Sequence, residues 1–344
     1  MDTGPLVGQF ALPAHLHLRP DDPLTVAARK IVAQHTAQMR GNLQGALDDL
    51  DPEYLHDLRV AVRRLRSALR LLPDVMGRRR CGALRAELGW IGRILGAVRD
   101  LDVFILNLQA QTERLAEAGA ITGLLVEEVR RQRAPARRAL VAALGSRRFT
   151  SLVDRLDTLA ASPAPRRSRG SLAVPVIEAA PVLLQTAQKR VLKLGRTIGP
   201  GSPATDLHRL RILFKRLRYT CEFFREAFAD PASGADPLAE YIRAMVRFQD
   251  CLGEHQDAVV AMTRIQDLAK DLIRRGALSP DQWLDLGGLI QVQREIAQDR
   301  RGRLRELWAR FDRRSVRKRL TSLGVTGQAQ PDVVGTSEEH LPSG

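Results

Sequence analysis

Leu55-His56-Asp57-Leu58-Arg59-Val60-Ala61-Val62-Arg63-Arg64-Leu65-Arg66 and Leu207-His208-Arg209-Leu210-Arg211-Ile212-Leu213-Phe214-Lys215-Arg216-Leu217-Arg218 are two versions of one pattern. Counted from each histidine, a basic residue stands at offsets +3, +7, +8 and +10, and a leucine at +9. The versions are 152 residues apart at every position, the mark of an internal duplication. At 100° per residue, offsets 0, 3, 7 and 10 fall within about 80° of one another on a helix. Leu58, Val62, Leu65 and Leu69 fall on the other side, as do Leu210, Phe214 and Leu217. Each stretch is therefore expected to be a helix with an apolar core side and a cationic side.

With Arg70 the first stripe runs for about 21 Å of helix axis. Between Leu58 and Leu72 there are five arginines and no acid. A merely solvated face would intersperse acids for i,i+4 pairing. A fold gains nothing from the like-charge repulsion, and a repeating anion laid along the stripe would relieve it. Both histidines are expected in the first turn, after Asp51-Pro52 and near Asp206, where free N–H groups favour an anion and disfavour imidazolium.

The remainder reads as helices. Expected spans are 24–48, 53–72, 79–118 with a possible break at Gly96, 121–145 with a kink at Pro135, 149–160, 175–198, 205–229, 237–275 and 280–320. Residues 1–22 read as an irregular arm, 23–161 as a first helical half, 162–174 as a Pro/Ser/Arg linker, 175–322 as a second half and 323–344 as a disordered tail. Strand-like alternation is lacking, so the fold class is all-α.

Both halves also carry a Leu-Gly-x-x-x-Asp element, Leu95 to Asp100 and Leu252 to Asp257. Its glycine permits close helix contact or a bend. Asp100 and Asp257 are placed either to hold ladder arginines or to form plain inter-helix salt bridges. Arg29 and Lys30 in the first half, and Lys189, Arg190, Lys193 and Arg196 in the second, would be further walls of a basic groove or exposed faces.

The net charge is +15, and 48 of the 54 cationic side chains are arginine, whose planar fork suits phosphate oxygens. A GC-rich genome would also raise the arginine share. Three cysteines without CxxC spacing argue against a disulfide framework or a zinc site. Neither a signal peptide nor an 18-residue apolar run is found, so a cytoplasmic protein without a membrane span is expected. His56-Asp57 looks like half of a phosphohydrolase dyad, but the second copy reads His208-Arg209. No catalytic residue, metal site or cofactor is therefore expected. A phosphohistidine carrier would not need so many arginines. Nucleic acid is the alternative ligand, against which stand an aromatic content of 4% and no recognisable helix-turn-helix.

These residues resemble the CHAD domain family, α-helical domains named for conserved histidines. The likeness rests on His56-x-x-Arg59 with Arg63-Arg64-x-Arg66, on His208 to Tyr219, on Leu95 to Val103, and on Gln249 to Asp257. It covers roughly residues 22–322. It implies two antiparallel four-helix bundles related by a pseudo-twofold axis. It also implies a basic surface between them that binds inorganic polyphosphate, and association with polyphosphate granules. By position, the binding candidates are His56, Arg59, Arg63, Arg64, Arg66, His208, Arg211, Lys215, Arg216 and Arg218, with Arg70 extending the stripe and Tyr219 supporting it. Many relatives carry a CYTH domain with a Glu-x-Glu-x-Lys strand. This sequence lacks that motif, so it resembles a stand-alone member, and no hydrolase activity carries over.

Overall fold

A computed structural model describes residues 16–112, 119–162, 174–199, 201–230 and 232–323. The fold is all-α. Twelve helices are found among the described residues. They are α1 Leu24–Gly41, α2 Leu43–Asp48, α3 Pro52–Leu71, α4 Pro73–Met76, α5 Arg78–Thr112, α6 Gly119–Leu144, α7 Arg147–Ala161, α8 Val176–Gly195, α9 Ala204–Phe224, α10 Ala239–Arg274, α11 Pro280–Phe311 and α12 Arg314–Ser322. A 3-10 turn, Arg225–Ala227, follows α9.

Local chemistry sets several starts. The Asp51 carboxylate accepts the Glu53 N–H at 2.7 Å, with Pro52 at the first helical position of α3. Ser279 and Gln282 form a reciprocal capping box at α11, again with proline at the first position. Ser146 caps α7 through the Phe149 N–H. Two long expected helices are each divided. The 24–48 span breaks at Asn42, and Asp49 closes α2 in the left-handed region at φ 56°. There Asp49 receives both terminal nitrogens of Arg133 at 2.7 and 2.8 Å. The 280–320 span breaks between Phe311 and Arg314. Gly96 does not break α5, and α6 continues through Pro135. The expected helix at 205–229 ends earlier, at Phe224. The linker and tail fall almost wholly outside the described residues, as does the expected helical stretch at 113–118.

Helices α1, α3, α5 and α7 pack together in the first half, and α8, α9, α10 and α11 in the second. The apolar side of α3 supplies Leu55, Leu58, Val62, Leu65 and Leu69 to the first core, and Leu210, Phe214 and Leu217 of α9 enter the second. Phe214 stacks on Phe248 at a centroid distance of 4.2 Å. The halves are not sealed from one another. Tyr219, Phe223 and Phe224 of α9 belong to the first core, and α3 packs directly against α9. A third core then joins the distal parts of α5 and α6 to those of α10 and α11 around Phe104, Leu125, Ile265 and Leu289. The last described residues of the arm are also fastened, since the Leu16 and Leu18 N–H groups donate to the Glu226 carboxylate.

Candidate functional site

The α3–α9 contact brings the two basic stripes onto one shared cluster. His56 and His208 are each the fifth residue of their helix, so each begins the second turn rather than standing in the first. The free N–H groups of a helix end with its first four residues. His56 is half-buried and His208 exposed. Burial lowers the His56 pKa, and the nearby Arg99 and Arg63 cations lower it further.

At the centre of the cluster, Arg59 and Arg63 of α3 face Arg211 and Lys215 of α9. Burial pushes the Lys215 ammonium down to about 7, and Arg211, Arg63 and Arg59 add to the fall. Asp257 acts in the opposite direction. Burial also lowers the Arg63 pKa, with Arg59 and Arg218 contributing. Farther along α3 and α9, burial and neighbouring cations depress Arg66, Arg70 and Arg216. Arg85 of α5 and Arg190 of α8 join this second group, and Arg93 of α5 lies near Arg66.

The glycines of α5 and α10 explain how the guanidinium groups are carried. A Cβ added at Gly96 would lie 3.7 Å from Arg59 Nε, one added at Gly92 would lie 3.5 Å from Val62, and one added at Gly89 would lie 3.7 Å from Arg66. Three side chains of α3 thus lie over a bare stripe of α5. In α10, Gly253 takes Arg211 in the same manner, with 3.4 Å to the nearest guanidinium nitrogen. Each motif ends on its aspartate one turn later. Asp100 lies 3.6 Å from Arg59. Asp257 interacts with Arg211 and Lys215, and partial desolvation raises its pKa although its side chain keeps access to solvent.

Not every candidate faces the cluster. Arg64 and Arg218 converge on Glu222, at 2.8 and 3.5 Å. Both also lie over the buried Tyr219 ring, as does Arg63, at 5.3–5.7 Å from its centroid. Tyr219 is therefore a cation–π platform in the α3–α9 seam, and Arg64 and Arg218 are largely occupied there. Three proposed groove walls are also occupied elsewhere. Arg29 donates to the Thr25 and Ser162 carbonyls, Lys30 binds Asp22 and the His17 carbonyl, and Arg196 pairs with Asp312. Each of these contacts fastens neighbouring segments of the chain. Lys189 and Lys193 stand exposed on α8, and no described contact joins them to the ladder.

Sequence reading missed Arg85 and Arg93, which come from α5, whereas Arg99 of the same helix ties the start of α3 through Glu53 and the Pro52 carbonyl. The available signal was the Gly89-x-x-Gly92-x-x-x-Gly96 spacing, which marks a bare helical stripe with arginines beside it. Among the described residues, no group of three or more His, Cys, Asp or Glu side chains could hold a metal ion. His255, inside the second Leu-Gly element, is a core residue whose Nδ1 donates to the Ala297 carbonyl at 2.9 Å.

Residues 30–266 match the profile of the CHAD domain. The chain belongs to the CHAD domain family. The solved CHAD domain from the plant Ricinus communis superposes with a TM-score of 0.61 at 26% identity, covering 91% of this chain and 97% of that one. PptA from Streptomyces chartreusis gives a TM-score of 0.64 at 19% identity, over 84% of this chain and 100% of that one, a likeness of fold. Two uncharacterized proteins of Mycobacterium tuberculosis, from strains CDC 1551 and H37Rv, are 28% identical over 302 residues, 87% of this chain. The chain spans about half of their length, 55%. No described helix is long and apolar enough to cross a membrane.

Proposed function

We propose that this CHAD protein binds inorganic polyphosphate, without catalysis, on the joint basic cluster of α3 and α9, and that it associates with polyphosphate granules. The observation that carries the reading is the meeting of Arg59, Arg63, Arg211 and Lys215 from two helices, continued by Arg66, Arg70 and Arg216. Such repulsion is unfavourable to the fold and is relieved by a ligand with many closely spaced negative charges. A single phosphoryl group would neutralise only part of it. Arginine forks and the partly desolvated setting strengthen each contact to a phosphate oxygen.

Titration with long-chain polyphosphate at physiological salt tests the reading. Tight binding that weakens steeply with added salt is expected, as for basic proteins on nucleic acid. Combined Arg59→Ala, Arg63→Ala, Arg211→Ala and Lys215→Ala substitution should abolish it. Binding untouched by those changes would sink the proposal. Displacement of polyphosphate by duplex DNA at equal phosphate concentration would favour a nucleic-acid ligand. Phosphate release, or acid-labile label from ATP, would make the protein an enzyme.

A further inference from the structure

We propose that Lys215 is a modification site, acylated by small acyl phosphates that the surrounding guanidinium groups capture through the phosphate. The inference rests on the same cluster as the polyphosphate reading and asks a different chemistry of it.

The chain uses arginine for 48 of its 54 cations, yet at the +7 ladder position it carries Arg63 in one copy and Lys215 in the other. Arginine keeps its proton in proteins, whereas a crowded lysine can release it and become a nucleophile. Lys215 is half-buried on α9, and among the described residues its amine takes no hydrogen bond and no ion pair. Arg59 and Arg63 face it from α3, Arg211 from the preceding turn of α9, and Asp257 from α10. Asp100 of α5 is engaged with Arg59 at 3.6 Å. Three guanidinium groups and one carboxylate therefore surround the amine. Burial and like charge both favour its neutral form, which is why it titrates near 7.

The same guanidinium groups suit a phosphate dianion. Arg63 and Arg211 each keep a buried Nε–H without a hydrogen-bond partner, which a phosphate oxygen would fill, and an acyl phosphate held there would present its carbonyl carbon to the neighbouring amine. The Nζ lone pair attacks that carbon. The N–C bond forms, the C–O bond to the phosphate breaks, and phosphate leaves with the electron pair and takes up the amine's proton. The products are a neutral amide and inorganic phosphate. Loss of the central charge then weakens polyanion binding.

The test is incubation of the full chain with acetyl phosphate at about pH 7, followed by peptide mapping with mass spectrometry over time. Lys215 should be acetylated on the order of tenfold faster than the exposed Lys189 and Lys193. Orthophosphate should slow Lys215 and leave those two unaffected. Labelling of Lys215 no faster than of Lys189 and Lys193 overturns the proposal, and so does labelling indifferent to orthophosphate. Long-chain polyphosphate should protect Lys215. If it does not, and the Lys215 preference stands, the acylation site holds and the polyphosphate reading falls. If polyphosphate binds but Lys215 shows no preference, the acylation site alone falls.

Discussion

Lys215 shows at the residue scale what the basic cluster costs. Its ordinary value of 10.5 in the unfolded chain falls to about 7 in the fold. Between those two values the unfolded chain holds a proton that the folded protein does not, so this residue's share of stability rises with pH across that window. Below about pH 7 the full penalty applies. Lys215→Met should therefore raise Tm at pH 7, with the gain shrinking as pH approaches 10, as thermal melts across pH would read. A bound polyanion has the reverse effect on the same group. It restores the proton, so polyphosphate affinity should increase as pH falls from about 8 to 6. Calorimetry in buffers of differing ionisation enthalpy should show proton uptake on binding. The decisive residue types were legible in the sequence, and their charge states were not. Offset counting places Lys215 on a stripe, but Arg59, Arg63 and Asp257, which face it from α3 and α10, are distant in the chain.

At the scale of elements, a basic helix is carried on a glycine-striped one. Gly96→Ala should be tolerated, because the added Cβ meets Arg59 at an ordinary 3.7 Å. Gly96→Leu should leave the fold intact, since the flexible end of Arg59 can yield, yet weaken polyphosphate binding by roughly tenfold, about 1.4 kcal/mol, in a titration. Gly195 is a different case. A Cβ there would run into the rigid Trp308 ring, so Gly195→Ala should cost about 1–3 kcal/mol in denaturant unfolding without touching the basic cluster. Helix periodicity located α3 and α9 to within a residue or two at their starts, because proline and a capping aspartate fix α3 and proline precedes α9. The flanks of the stripe were not settled by angle alone. Arg218 meets Glu222 one turn on within α9, whereas Arg64, at the flank of its stripe, reaches the same carboxylate only through the α3–α9 packing.

For the whole molecule, the third core is the feature that makes the two halves interdependent. Ile265 of α10 is fully buried there against side chains of α5 and α6. Ile265→Ala should cost about 2–5 kcal/mol, and hydrogen exchange should show lost protection in α6 as well as α10. Chemical unfolding should remain a single transition. Two transitions, one for each half, would contradict the shared core. Arg264 of α10 lying over Phe104 of α5, at 5.3 Å to the ring centroid, belongs to the same junction.

The sequence by itself determined the all-α class, the two His-led helices and the side of each that is buried. Those properties depend on residue type and on a period of 3.6, both of which are local. Only the tertiary structure decided that the two stripes form one cluster and that α5 contributes Arg85 and Arg93. It also decided that Arg29, Lys30 and Arg196 serve as ties, and that distal segments of both halves share a core. These depend on which helix faces overlap. Overlap is set by packing between residues far apart in the chain, which no local pattern encodes.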